Sequence, residues 1–393
     1  MTNLFRQSDN SIEIFCCLNC QFGVFKLPLS KFDWCDVSIQ EPHLANRNIP
    51  FCTGKVLGGS SCTNNLLYHR GDSNDYKSWA SIIGDEEWSP ENVLTYFKRS
   101  EDDSRGPSRY HGSGGELSVT DARYQNPVSK AFLSACGENG YSANDDFNNW
   151  SRPQEGYGRY QVNAKNGARC SAASAFLLPA IKRKNLTVLT NAVVSRISFN
   201  ETEVSGVDVT VDGVRQHVSI NQDGEVVMCA GAINTPHILL MSGVGARSHM
   251  HHYGFQDVID LPGVGKNLQD QPIAVVVYEC ISGNEGVTLA SSSRTGSSGA
   301  NPKEVLEWMV NKAGPYSSTL SDHGAFFKTK EEMVSPDLLL KFSPTISDCP
   351  DGWGTESLKV RHQTLPISVA AVSHQPRVYF NTLDASTDFF SFI

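Results

Sequence analysis

The segment "GKVLGGSSCTNNLLYHRGDSNDY", Gly54–Tyr76, concentrates residue types that can hold a flat or phosphate-bearing ligand. Gly58 and Gly59 admit positive φ and let a backbone approach a ligand closely. Successive free amides in such a turn form a nest for phosphate oxygens. Ser60, Ser61, Thr63 and Asn64 add short donors of matching reach. A glycine turn leading into a polar-capped helix is the plainer alternative, and the same residues fit it.

Other chemistries find less support. No G-x-S-x-G occurs, so Ser60 and Ser61 are poor hydrolase nucleophiles. "YHGSGG" (110–115) has the glycines of an oxyanion loop but no nucleophile motif to serve. No G-x-x-x-x-G-K-[ST] is present. His249, His251 and His252 invite a metal reading, yet 249 and 251 do not share a helix face and no carboxylate has useful spacing. Cys16, Cys17 and Cys20 lack a second ligand pair, so no metal is expected.

These residues need elements to position them. Residues 88–101 predict a helix with Ser89 as cap, Pro90 at its first position, and Val93, Leu94 and Phe97 on one face. A second helix, closed by glycine, is predicted over 126–141. "SAASAFLLPAIKRKN" reads as helical up to Pro179. Residues 186–229 hold strand signals in "LTVLT", "AVVSRISF", "VSGVDVTV", "RQHVSI" and "EVVMCAG". The last leads through Gly231 into "TPHILLMSG", with Thr235 expected as helix cap, Pro236 in the first turn and Gly243 at the end. Such a strand–turn–helix unit presents amides to a cofactor, and is also a common structural corner. The Ser/Gly-rich stretch 282–302 predicts a loop or linker before a smaller α+β unit.

The 393 residues suffice for two domains, and 39% hydrophobic with 19% charged residues is a globular composition. A net charge of −9 disfavours nucleic acid and anionic membranes as partners. The longest apolar runs are strand-length, well short of the roughly 20 residues that span a bilayer. No signal peptide is evident, and the eleven scattered cysteines read as reduced thiols of an intracellular protein.

Three segments, taken in order, resemble the signatures of the glucose–methanol–choline (GMC) flavoprotein oxidoreductases. They are "GKVLGGSSCTNNLLYHRGDSNDYKSWA" (54–80), "GAINTPHILLMSGVG" (231–245) and "PGVGKNLQDQP" (262–272). "FCTGKVLGGSSCTN", "DDFNNWS" and "NLQDQP" look most like the fatty acid photodecarboxylase branch. The resemblance implies an α/β, Rossmann-like FAD-binding domain over 31–272, with a small sheet inserted at 186–229. An α+β substrate-binding domain over 273–393 is implied as well. By motif position, Gly58, Gly59, Ser60, Asn64, Asn65 and Leu67 are implied to line the flavin and pyrophosphate. Val194 is implied to lie where a strand backbone contacts the adenine.

The family opens on a strand and a G-x-G-x-x-G turn for the ADP moiety. Residues 1–30 contain no such motif, so a divergent N-terminal segment and an incomplete FAD domain are expected. The family's C-terminal catalytic His is expected beyond Ile393, leaving a truncated substrate domain in which His323 and His374 are not substitutes. The photodecarboxylase branch positions its fatty acid with a Cys and an Arg; alignment puts Ser321 and Lys341 there. Lys341 attracts a carboxylate only as a point charge, and Ser321 lacks the redox chemistry of a thiol. The implied activity is oxidation of CH–OH groups in a small alcohol- or choline-like substrate, with hydride passing to flavin. A fatty acid photodecarboxylase relative and a truncated, inactive family member are the alternatives. That kinship suggests a plastid, although the N-terminus supports no address, and the oligomeric state is not fixed.

Overall fold

The computed structural model describes residues 30–271, 273–279, 302–319, 321–344 and 366–373. These fall into two units, 30–182 with 273–373, and 183–271. After a short antiparallel pair, Asp36–Val37 with Pro50–Phe51, the first unit contains β1 (Leu67–Tyr68), α1 (Ser73–Ile83), α2 (Pro90–Ser100) and β2 (Glu101–Asp103). It continues through β3 (Leu117–Asp121), α3 (Pro127–Glu138), β4 (Gly156–Arg159) and β5 (Gln161–Val162). The second unit contains β6 (Ala192–Asn200), β7 (Glu203–Val211), β8 (Val214–Ser219), α4 (Gly231–Met241), β9 (Val244–Gly245), α5 (Arg247–His252) and β10 (Ile259–Asp260). The chain then returns to the first unit with β11 (Ile273–Glu279), α6 (Pro302–Asn311), β12 (His323–Phe327), β13 (Leu338–Ser343) and β14 (Pro366–Ser373). The described elements make a mixed α/β protein.

Local chemistry sets the helix ends of the first unit. At α1 the Asp72 carboxylate accepts from the Asn74 amide at 2.9 Å, and Asp75 accepts from the Asp72 amide at 2.8 Å. Both orphan donors of the first turn are thereby used. Helix α2 starts at Pro90 after Ser89, as its sequence predicts, but the Ser89 side chain makes no capping bond, whereas Asn126 caps α3 through the Val128 amide.

Two sheets frame this unit. One is antiparallel throughout, in the order β11-β14-β13-β12-β4; the other runs β1-β5-β3-β2, with β2 and β3 parallel. Phe147, Tyr160, Phe326 and Leu339 form one core cluster, and Leu66, Ala122, Val162 and Ala164 another. Leu67 packs on both, so the end of the glycine-rich segment is anchored in the core.

In the second unit β6, β7 and β8 form an antiparallel sheet closed by two tight turns. The strands expected at 186–190 and 225–229 are absent, and Val227 is 77% exposed. A strand needs neighbours for its amides and carbonyls, and no described strand lies alongside these runs. Helix α4 also departs from expectation. It starts at Gly231, so Pro236 falls inside it, and Thr235 Oγ1 reaches back to accept from the Ala230 amide at 3.1 Å instead of capping. Among the described residues no helix is long and apolar enough to cross a membrane. Residues 1–29 with their cysteine cluster, most of the 282–302 stretch, and His374 lie outside the described residues.

Candidate functional site

The glycine-rich segment folds on itself before it offers anything to a ligand. Gly58 has φ 95° and Gly59 φ 54°, and a short 3-10 turn covers Gly59–Cys62. Ser60 Oγ accepts from the Gly54 amide at 3.1 Å, and Ser61 Oγ accepts from the Ala172 amide at 2.9 Å. A Cβ on Gly58 would lie 2.9 Å from both Ala173 Cβ and Cys62 Sγ. A Cβ on Gly59 would meet nothing within 4 Å. One glycine is therefore demanded by packing, whereas the other leaves a bare backbone facing open space.

Around that bare backbone Ser60, Asn64 and Asn65 are exposed. The sequence reading is modified at Asn64, whose Oδ1 accepts from the Leu66 amide at 3.1 Å and from Arg169 Nη1 at 3.0 Å. Arg169 also donates to the Ser61 carbonyl at 3.0 Å. These bonds hold the turn rigid, leaving Ser60 and Asn65 on its open side. The residues present fit a flat, phosphate-bearing group such as FAD, because a Cβ-free backbone is bordered by short donors and ends at half-buried Leu67.

The remaining candidates lie elsewhere. Val194 is half-buried on β6 of the second unit, pairs with Val209, and is followed by a β-bulge. In the first unit Ser321 precedes β12, and Lys341 on β13 pairs with Gly324. Lys341 has no anionic partner among the described residues, and burial pulls its pKa below the ordinary lysine value. His323 is fully buried with Nδ1 2.7 Å from Asp322. For the histidines of α5 the fold supplies a carboxylate that sequence spacing did not. Asp257 lies 2.8 Å from His251 Nε2 and 2.8 Å from Arg247 Nε.

Sequence reasoning missed the largest polar feature, a buried ionic network just downstream of the glycines. Arg70 Nη2 lies 2.6 Å from Glu101 Oε1, and both side chains are fully buried. His111 Nδ1 is 2.8 Å from Asp103, and its Nε2 is 2.9 Å from Asp146. Gln161 donates to Asp103 at 2.9 Å, and Asn148 donates in turn to Gln161 at 2.9 Å while accepting from the Arg70 amide at 3.0 Å. Burial alone would lower the His111 pKa, but its bonds to Asp103, Asp146 and Glu101 outweigh it and raise it to about 11. Burial alone would raise Asp103 and Asp146, but their bonds to His111 bring both below the usual carboxylate range.

Glu101, Asp103 and His111 have ligand-like spacing for a metal. Arg70 and protonated His111 already neutralise that site, so an added cation would meet two positive charges. The network joins "YHRGD", "SEDD", "YHGSGG" and "DDFNNW", and so gives the glycine-rich "YHGSGG" stretch a structural part. The available signal was charged or histidine side chains close to aromatic ones in three of these segments, with the acidic run "SEDD" as the fourth.

Comparison with known proteins gives the family of the chain. The GMC oxidoreductase family profile matches residues 14–273. The chain is 36% identical over 326 residues to the chloroplastic fatty acid photodecarboxylase of Chlamydomonas reinhardtii, covering 81% of this chain and 53% of that protein. It is 36% identical over 319 residues to an alcohol dehydrogenase [acceptor] of Pseudomonas putida, covering 80% and 56%. A variant formate oxidase from Aspergillus oryzae RIB40 superposes with a TM-score of 0.80 over 95% of this chain and 68% of that one, at 20% identity. The chain spans about half the length of the relatives it matches. With the matched profile covering well over half its residues, this chain belongs to the GMC oxidoreductase family.

Proposed function

We propose that this chain forms the FAD-holding part of an oxidoreductase acting on CH–OH groups of small alcohols. The observation that carries the reading is the open side of Gly59 with exposed Ser60 and Asn65 beside it. Bound FAD supplies the hydride acceptor. Gly58 and Gly59 keep the chain low against the ring system, and Ser60 and Asn65 donate to phosphate or ribityl oxygens. Asn64 and Arg169 fix the turn, and Leu67 gives the apolar edge. No residue of this chain is assigned as the base for the hydroxyl proton.

The test is the visible spectrum of the purified chain before and after adding excess FAD and desalting. Retained flavin colour with turnover on an alcohol panel is the expected result. A colourless protein after desalting sinks the cofactor assignment. Flavin without turnover leaves FAD in place and removes the CH–OH activity.

A second reading, light-driven fatty acid decarboxylation, is favoured by Lys341, a desolvated cation with no anionic partner among the described residues. Blue light and palmitate would then yield carbon dioxide and an alkane one carbon shorter; no alkane ends that reading.

A further inference from the structure

A cleft of about 420 Å3 opens beside β4 in the first unit, and none of its lining residues belongs to the glycine-rich segment. Its floor is β4, the edge strand of the antiparallel sheet. Tyr157 and Arg159 stand two apart on β4, so both side chains point to the same face. Helix α3 covers the same sheet, with Phe132 stacked on Phe342 at 4.4 Å, and contributes Leu133 to the cleft. Ala143 completes the apolar wall.

The cleft is lined by two arginines and two aspartates, but the ion pairs leave one arginine over because Arg152, outside the lining, takes one of the aspartates. Asp121 is taken by Arg105 at 2.6 Å, and Asp145 is taken by Arg152. Arg105 is further committed to the Asp145 carbonyl at 2.8 Å. Among the described residues, the Arg159 guanidinium and the Tyr157 hydroxyl have no hydrogen-bond or ion-pair partner. Both acidic groups are thus neutralised from within the protein, and one planar cation with a neighbouring hydroxyl donor remains.

We infer that this cleft binds a small organic carboxylate carrying a compact apolar body. The guanidinium fork matches a carboxylate in two parallel hydrogen bonds. Tyr157 Oη donates a further one, and Leu133 and Ala143 receive the apolar part. A cleft of this size holds one small molecule.

The test uses the full chain and 4-fluorobenzoate, followed by fluorine NMR, with uncharged 4-fluorobenzamide as its isosteric control and inorganic phosphate as competitor. Binding of the acid is expected, at least tenfold tighter than the amide, with phosphate displacing it only weakly. Arg159→Gln is expected to weaken the acid at least tenfold, and Leu133→Trp to block it while leaving the charge in place. Equal binding of acid and amide, displacement by phosphate at matched concentration, or an unaffected Leu133→Trp variant overturns the inference. The acid–amide comparison needs no variant, so it decides even where Arg159→Gln fails to fold.

Discussion

The two halves of Gly54–Tyr76 use polar residues in opposite ways. From Gly54 to Asn65 the chain packs backbone on backbone and leaves Ser60, Asn64 and Asn65 exposed. From Tyr68 to Arg70 the polar groups turn inward. Arg70 is sealed between Glu101, the aromatic ring of Phe97 at 5.3 Å, and the Tyr68 hydroxyl at 3.1 Å. The first half presents short donors to whatever approaches; the second fixes the scaffold beneath them. A run of polar residues within one motif is therefore two structures with two purposes.

Removing one buried charge is the hardest blow to that contrast. Glu101→Gln leaves Arg70 without its counter-ion in a dry site, which costs about 3–5 kcal/mol. Ser60→Ala, on the exposed half, loses only the bond from the Gly54 amide and should cost about 1 kcal/mol. Urea unfolding followed by circular dichroism measures both. A Glu101→Gln midpoint near wild type would mean that the network is not what holds this half.

The next effect comes from pH. The His111 pKa is raised to about 11 in the folded chain, against about 6.5 when unfolded. The folded state binds the extra proton, so this stabilisation is fully present below about pH 6.5 and lost as pH rises toward 11. Asp103 and Asp146 are lowered, so their contribution is present above about pH 4 and lost on acidification. Between pH 7 and 9 stability should fall, by at most about 1.4 kcal/mol per pH unit. Thermal melts of wild type and His111→Gln check this, and the variant should show a flatter alkaline slope. Equal slopes would mean that His111 is not held protonated.

What the sequence made legible follows from the range of the forces involved. Helices α2 and α3 were readable because proline at the first turn, apolar spacing and, for α3, the Asn126 cap act within a few residues. The strand expected at 225–229 depends on neighbours, which local pattern does not contain. The same holds for the site. Gly58 and Gly59 announced themselves by type, whereas Glu101 and His111 meet only after folding brings separate segments together. Asn64 lies between these cases, a residue of the motif whose side chain is used to hold the turn.

A finer test separates packing from ligand contact within two adjacent residues. Gly58→Ala places a methyl against Ala173 and Cys62 at positive φ, so it should cost about 1–3 kcal/mol of stability. Gly59→Ala meets no neighbour and carries only the left-handed backbone term, about 1 kcal/mol. Its methyl points instead into the open space assigned to FAD. Gly59→Ala should therefore lose more flavin on desalting than its small stability change explains, with Gly58→Ala showing the reverse balance. Melting temperature and the retained flavin-to-protein absorbance ratio, taken on the same samples, give both numbers. If flavin retention simply tracks stability in the two variants, the open side of Gly59 is not where the cofactor lies.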